Sequence, residues 1–594
     1  VRSAIERPYY FDASPTLLAR EPAKAPAERK PQANGWPTMY AHLEARLASL
    51  RQWRLSWWTS FGEIARYELP RRYHEYIVGN TYDRGLRRDW NIVDSTGTLD
   101  GETCAGGMMT AICPPDRPWC SLGPGIPGLE LDRAGQIWFD DVSERLRYVQ
   151  GETNFYDSMS QFFEDMTFFG TGVVLDYESG EDIFVCRNPC AGEYSLAAGA
   201  DFTDQALYVE ERRTVSQIAE MFGLRNCPPD VQQFWQQKGG ALDQEFVVGH
   251  AIEPNFAIED QRGGETGRLP GDFTWRETYW LVGKADAYPL SQAGFHEKPF
   301  AAARWHTVSN DPYGRGPGST ALGDVIQLQL ETRQKAEALE KVIRPPMGAD
   351  PALQNQPSSQ RPGAITYYDT TTGKKGFHPL YEIRPDLPGI TADIVDIRNR
   401  IGRAFHADLF RMIQEISQSR RDITATEIDA LREERLMQLG PVIGRIYKEG
   451  IRPRIHRQLA IMDRRGLLPP KPRSLQGVPV QIEFISMLTM AQRASSTASI
   501  QQAIALVGNM VPFYPESKDV LDPDEVVREF ADLRGTPARI IRAPQDVKKL
   551  RAAAAQAQQA AAMGQGAMAA VAGAKQLSDT PLGNGSALDA VVGR

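Results

Sequence analysis

SNDPYGRGPGSTALGDVIQLQLETRQKAEALEKVIRPP, residues 309–346, opens on a glycine- and proline-rich turn and then keeps a helical pattern up to a double proline. The turn is DPYGRGPG (311–318), Ser319 or Thr320 is the N-cap, and Pro345-Pro346 is the stop. The pattern therefore predicts a helix of about 25 residues, roughly 37 Å long. Its apolar positions, Leu322, Val325, Ile326 and Leu330 and later Leu339, Val342 and Ile343, flank a centre from Glu331 to Lys335 that is polar on every face. Such a helix is poorly stabilised alone and calls for neighbours to cover its stripes.

Outward from this helix, PPMGADPALQNQPSSQRPGAITYYDTTTGKKGFHPLYEIRPD (345–386) has no helical period. Ala364–Tyr368, a polar turn with Gly373, and Phe377–Ile383 predict a two-stranded hairpin. A second long helix is expected from Thr391, with Ile390, Ile394, Ile397, Ile401, Phe405 and Leu409 at steps of three and four. Two long helices thus bracket a small β insert. After Phe410 the residues are polar, until Thr424-Ala-Thr-Glu427 forms a capping box for a helix ending near Gly440-Pro441. Another helix is expected through Ile443, Tyr447, Ile451, Ile455 and Leu459, stopping before Leu468-Pro469-Pro470.

On the N-terminal side, residues 1–37 are rich in Pro and Ala and read as a flexible arm. From Thr38, Leu43, Leu47, Leu50, Trp53/Arg54 and Trp57/Trp58 predict an amphipathic helix ending near Leu69-Pro70, its tryptophans either core anchors or part of a subunit interface. Residues 90–210 alternate helical runs with strands at Gly172–Tyr177 and Ile183–Cys186. EFVVGHAIEPN, FTWRETYWLVG and PFAAARWHTV, within 245–310, read as further strands. The fold class is α+β. Beyond residue 480, a helical run at Ala491–Leu506 and an Ala/Gln-rich stretch at Asp546–Lys575 have helical propensity, but the second has little to bury. It is expected either to associate with its copies or to be disordered.

A chain of 594 residues with 42% hydrophobic content calls for at least two packed bodies. No run of about 18 apolar residues occurs, and charges sit where a signal peptide would be apolar, which argues against membrane insertion and secretion. The six cysteines, Cys104, Cys113, Cys120, Cys186, Cys190 and Cys227, form no C-x-x-C pair and read as reduced thiols of a cytoplasmically made protein. The eight histidines lack ligand spacing, so neither a metal nor a cofactor is expected. A net charge of −8, with Lys and Arg spread along the chain, argues against tight phosphate neutralisation and permits a wall that DNA passes without sticking.

Catalytic patterns are missing. There is no G-x-x-x-x-G-K-S/T loop, no G-x-S-x-G elbow and no H-E-x-x-H helix. Gly314, Gly316 and Gly318 include Pro317 and read as a tight turn, not a dinucleotide loop. Asp140-Asp141 and Glu164-Asp165 lie in helical patterns and read as solvated faces or dipole partners.

Several segments, in order, resemble the head-to-tail connecting (portal) proteins of podovirus-type bacteriophages over about Thr38–Arg493. They are IARYELPRR (64–72), DSTGTLDGETCAGGMMTAICPPDRPW (94–119), TNFYDSMSQFFEDMTFFGTG (153–172), SNDPYGRGPGSTALGDVIQLQ (309–329), TATEIDALREERLMQLGPV (424–442) and MAQR (490–493). The resemblance implies a wing at 38–318, a first stem helix at 319–345, a clip at 346–388 and a second stem helix at 389–410. A tunnel-loop region at 411–423, wing helices at 424–478, and a crown with the Ala/Gln-rich tail at 479–594 follow.

It also implies a structural, non-enzymatic ring of twelve subunits at one capsid vertex of the virion, assembled in the bacterial host cytoplasm. Expected partners are the major capsid and scaffolding proteins, terminase transiently, tail or adaptor and ejection (core) proteins, and non-specifically the dsDNA that is packaged and ejected through the channel. Twelve copies at −8 amount to roughly −96, which suits a sliding wall. Arg411, Gln414, Gln418, Arg420 and Arg421 fall in the tunnel-loop position as candidate phosphate contacts, with a solvated helix face as the alternative. Lys374 and Lys375 are candidate clip contacts, with a solvated turn as theirs. The competing function classes are a non-channel capsid or tail component and a nucleic-acid enzyme of the packaging machinery.

Overall fold

The computed structural model describes residues 36–73, 87–126, 131–200, 203–255, 273–284, 289–349, 377–379, 385–411, 439–484, 500–510, 521–533 and 544–578. A few isolated positions and the strand residues 581–582 and 585–586 complete the described part. Its elements, in chain order, begin with helix α1 (Trp36–Tyr67), α2 (Thr96–Ile112), strand β1 (Cys120–Pro124), α3 (Arg133–Glu152) and α4 (Phe155–Phe169). Strands β2 (Thr171–Glu178), β3 (Phe184–Arg187), β4 (Tyr194–Ala198) and β5 (Asp204–Thr214) follow, then helices α5 (Val215–Phe222) and α6 (Pro229–Gln237). Next come β6 (Glu245–Pro254), β7 (Trp275–Leu281), β8 (Ser291–Phe295) and β9 (Phe300–Arg304).

The long helix α7 (Pro317–Ile343) leads through β10 (Met347–Ala349) and β11 (Phe377–Pro379) to α8 (Leu387–Ala404). A later helix is built from α9 (Gly440–Arg445), a π-helical turn (Ile446–Ile451) and α10 (Arg452–Arg464). Then come β12 (Val480–Phe484), α11 (Pro523–Leu533) and α12 (Pro544–Ser578).

Helix α4 sits at the centre of the main core: Phe155, Met159, Phe162, Phe163, Met166, Phe168 and Phe169 are all buried, and from Phe162 to Phe169 only Glu164 is partly exposed. Gly170 ends it at φ 78°, a left-handed position that suits glycine, and its N–H closes onto the Met166 carbonyl at 3.0 Å. The chain turns there into β2, the middle strand of the sheet β3-β2-β9. Strand β2 is buried from Thr171 to Asp176, as a strand covered on both faces must be. A second sheet, β4-β5-β6-β7-β8, is an antiparallel meander. The first half of α1 packs Leu43, Leu47 and Leu50 onto Tyr208, Ala251 and Trp280 of that sheet, and its second half joins the main core through Phe61, Ile64 and Ala65.

The α+β reading and the strands expected at 172–177, 183–186 and within 245–310 hold. Trp53, expected with the anchors, is instead 75% exposed, and Arg54 is the buried residue of that pair. At about 100° per residue, position 54 lies near the middle of the buried stripe formed by 43, 47, 50 and 61, and 53 lies roughly 80° off it. The Arg54 guanidinium lies 3.5 Å over Trp58 and pairs with Glu210 at 2.7 Å, so its burial is compensated. Asp165, read as a solvated or dipole-facing acid, is also buried, and Arg72 grips both its oxygens at 3.0 Å.

Helix α7 starts three residues earlier than the Ser319 N-cap reading, because Pro317 at its first position needs no N–H partner and Gly316 is the cap. Helix α8 starts at Leu387, where the Asp386 side chain accepts the Gly389 N–H at 3.1 Å, and it stops at Ala404. His406, at φ 54°, breaks it before a short helical piece, 407–411. Strand Phe377–Pro379 pairs with Met347–Ala349; the strand expected at Ala364–Tyr368 and the Gly373 turn lie outside the described residues, as does the Thr424 capping box.

The helix expected after Gly440-Pro441 is present, and the π turn is what the periodicity did not show. Pro453 cannot donate to the Glu449 carbonyl, and the wider turn just before it absorbs that missing bond. Helix α12 makes the Ala/Gln-rich stretch helical over 35 residues.

Candidate functional site

The α7–α8 pair has two different halves. At its root, Ala321, Val325 and Leu328 of α7 are buried with Ile394, Ile397 and Ile401 of α8 inside this chain's own main core. The expectation that the stripes wait for neighbouring copies is therefore corrected for this half. Beyond the root the helix is open: Leu330 is 55% and Ile343 74% exposed, and Leu339 and Val342 are also uncovered, while within the root span Ile326 is bare on the far side of the helix. By helical rotation, Leu339, Val342 and Ile343 continue the stripe of Ala321, Val325 and Leu328, whereas Ile326 and Leu330 lie about half a turn round from it. The root stripe is buried because the body reaches it, and its continuation is bare because the body ends.

Helix α2 is what holds the root, and its glycines are the reason it can. A Cβ on Gly97 would stand 2.9 Å from Val325 of α7; on Gly101 it would collide with the Phe168 ring, and on Gly107 with the Phe410 ring. The helix is thus notched to receive one knob each from α7, α4 and the piece after α8. The turn before α7 uses the same device. A Cβ on Gly316 would sit 2.6 Å from the Met166 carbonyl oxygen, and one on Gly318 2.5 Å from that of Phe168, so glycine lets this backbone lie against the end of α4. Gly314, Gly316 and Gly318, read as a tight turn, instead serve close backbone approach: Gly316 is the extended cap of α7 and Gly318 lies inside the helix.

A polar latch reinforces the root. Gln329, buried on α7, accepts the N–H groups of Val93 and Asp94 at 2.7 and 2.8 Å and donates to the Asp94 carbonyl at 2.8 Å. The Asp94 carboxylate accepts Thr96 N–H at 2.9 Å, at the start of α2, and Arg398 of α8 at 2.6 Å. Every polar group of the Gln329 amide is used, which is why a glutamine is tolerated on a buried face. Arg400 and Asp324 bridge the two long helices at 3.5 Å.

Of the candidate DNA contacts, only Arg411 lies among the described residues, and its guanidinium is engaged with the buried carboxylate of Asp100 on α2. Gln414, Gln418, Arg420, Arg421, Lys374 and Lys375 lie outside the described residues. Sequence reading missed Asp94, Asp100, Gln329 and Arg398. The available signal was the glycines of TGTLDGETCAGG, which mark a helix against which other segments of the chain press closely.

The remaining buried charges are structural. Arg454 holds both oxygens of Asp176 at 3.0 Å, with Cys186 Sγ also at 3.0 Å, and pins α10 to β2. Arg304 holds Glu449 of the π turn at 2.8 Å, and His250 pairs with Glu277 at 2.8 Å while stacking on Tyr279. Glu68 has neither an oxygen partner nor a facing charge among the described residues, and burial holds its carboxyl well above the usual range. The six cysteines are free and buried. Among the described residues no His/Cys/Asp/Glu group could hold a metal, and no helix is long and apolar enough to cross a membrane.

The chain is 33% identical to the portal protein of Salmonella phage epsilon15 over 552 residues, 92% of this chain and 96% of that protein. It is 34% identical to the probable portal protein of Bordetella phage BPP-1 over 529 residues, 88% and 93% of the two. Residues 40–541 match the family described as bacteriophage head to tail connecting protein. An α+β body with a rooted pair of long helices, a match over most of the length and two near-complete relatives place the chain in one family: it belongs to the bacteriophage head to tail connecting proteins, structural portal subunits and not enzymes.

Proposed function

We propose that copies of this portal subunit close into a ring, a dodecamer by family resemblance, whose hole is walled by α7 and α8 and conducts dsDNA during packaging and ejection. The observation that carries this reading is the half-rooted helix α7. Its near part is locked to its own body, and its far part leaves Leu330, Leu339, Val342 and Ile343 bare. Apolar side chains on two different sides of one helix suit a head-to-tail contact, in which each subunit offers different surfaces to its two neighbours; rotation closes such contacts into a ring. In the family's arrangement the ring sits in the virion at one capsid vertex and is assembled in the host cytoplasm. The insert between α7 and α8 meets terminase and then the tail or adaptor proteins, and the wing meets capsid, scaffolding and ejection proteins.

The net charge of −8 per copy favours passage over retention of the duplex. By chain order, Gln414, Gln418, Arg420 and Arg421 are the proposed transient phosphate contacts, and Lys374 and Lys375 the proposed clip contacts. Negative-stain imaging and native mass measurement of the purified chain test the ring: closed rings with a central hole are expected, and monodisperse monomers across assembly conditions refute it. Replacing Arg420 and Arg421 together by Ala is expected to leave rings intact and to alter genome retention. Unchanged packaging and infectivity would remove the loop assignment.

A further inference from the structure

We propose that Asp100 and Arg411, together with Gly107 and Phe410, form a clasp that fixes the chain leaving α8 onto α2, which makes Arg411 a positioning residue and not a carrier of DNA. Three features of the described residues lead here. First, the chain breaks sharply after α8. Phe405 is buried edge-on against Phe168 at 5.7 Å, and His406 then adopts φ 54°, a left-handed conformation that a non-glycine residue holds only when its flanks impose it. Second, the returning piece, 407–411, buries Ala407 and Phe410, and the Phe410 ring occupies the notch that Gly107 leaves open. Third, the next residue places its guanidinium on Asp100, which has no exposed surface, while Arg411 keeps nearly half of its own.

Positions 100 and 107 are seven residues apart, about two turns, so both contacts fall on one face of α2. An apolar plug and a charge pair from adjacent residues thus engage a single helix face. Arg411 is the one cation hydrogen-bonded to Asp100 among the described residues; the other carboxylate oxygen has no partner, and the further charges facing it are the acids Asp408 and Asp94. If Arg411 swung to a phosphate, a buried carboxylate would face two other acids with nothing to compensate it, so the fold opposes that motion. The inference does not depend on ring formation or on DNA passage, because it concerns one chain.

Hydrogen exchange on the full chain tests it. Arg411→Gln and Phe410→Leu are each expected to raise amide exchange in 405–411 at least tenfold, while the amides of β5 and β6 keep wild-type protection. Asp100→Asn should do the same. Arg411→Gln combined with Asp100→Asn should loosen the piece no more than either change alone, because each already removes the one interaction. If Asp100→Asn fails to fold, Arg411→Gln and Phe410→Leu still decide the matter. Unchanged exchange at 405–411, or multiplicative effects of the two polar changes, would overturn the clasp. So would a non-specific dsDNA affinity whose slope against log salt falls by about 1 on Arg411→Gln, since that is the signature of a lost phosphate contact.

Discussion

Replacing Val342 and Ile343 together by serine tests whether the bare end of α7 is covered by a neighbouring copy. In the single chain Val342 is 45% and Ile343 74% exposed. Full burial of such a side chain is worth about 1.5–3 kcal/mol, so covering these exposed parts contributes roughly 2–3 kcal/mol per interface. Serine removes most of that, about 2 kcal/mol, which is roughly a thirtyfold weaker contact at each interface. The isolated chain loses far less. These side chains already face solvent, and serine has nearly the same helix propensity as valine and isoleucine, so the helix itself is little changed.

Sedimentation velocity over a concentration series, beside thermal unfolding of the unassembled chain, separates the two effects. The expected result is assembly displaced to at least tenfold higher concentration with an almost unchanged midpoint of unfolding. Leu328→Ser is the contrasting control: Leu328 is buried in the root, so that variant should lose stability as a monomer. Assembly of the double variant at wild-type concentration would refute the reasoning, because it would mean that nothing covers this surface.

Three further outcomes follow from the packing. Gly101→Ala drives a methyl into the Phe168 ring and should cost about 1–3 kcal/mol in chemical denaturation, with part of that recovered when Phe168→Leu is added. Arg454→Ala leaves the buried Asp176 carboxylate uncompensated and should cost about 3–5 kcal/mol, whereas removing both charges with apolar residues of similar volume should cost much less. Burial, with Asp165 beside it, raises the Glu164 carboxyl to about 7. The folded chain therefore holds this proton more tightly than the unfolded one, and Glu164's contribution is fully present below about 4.5 and lost as pH rises through about 7. Glu164→Gln should match the wild type in stability near pH 4 and exceed it at pH 8, and equal stability at both pH values would count against the assignment.

The legible part of this protein was its local part. The strands at 172–177 and within 245–310, the helix up to Pro345 and the isoleucine spacing of 390–401 are visible because backbone preference and apolar period act between residues close in sequence. Family membership was legible for a related reason: GRGPG and TGTLDGETCAGG carry glycines, Gly97, Gly101, Gly107, Gly314, Gly316 and Gly318, at which a Cβ would meet a neighbouring backbone or side chain.

What those glycines press against was not legible. That Gly101 receives Phe168, that Gln329 serves the backbone of 93–94, and that Arg411 is taken up by Asp100 are pairings across 67, 235 and 311 positions of chain respectively. The same holds for Arg54 and Asp165, charged residues on buried faces, which a one-dimensional pattern assigns to solvent because it cannot see the partner that compensates them. Sequence alone settled the helix up to Pro345, the strands at 172–177 and within 245–310, and the family they compose. Tertiary structure alone decided which half of the long helix belongs to its own body and which half is left bare, since burial depends on where the rest of the chain ends in space.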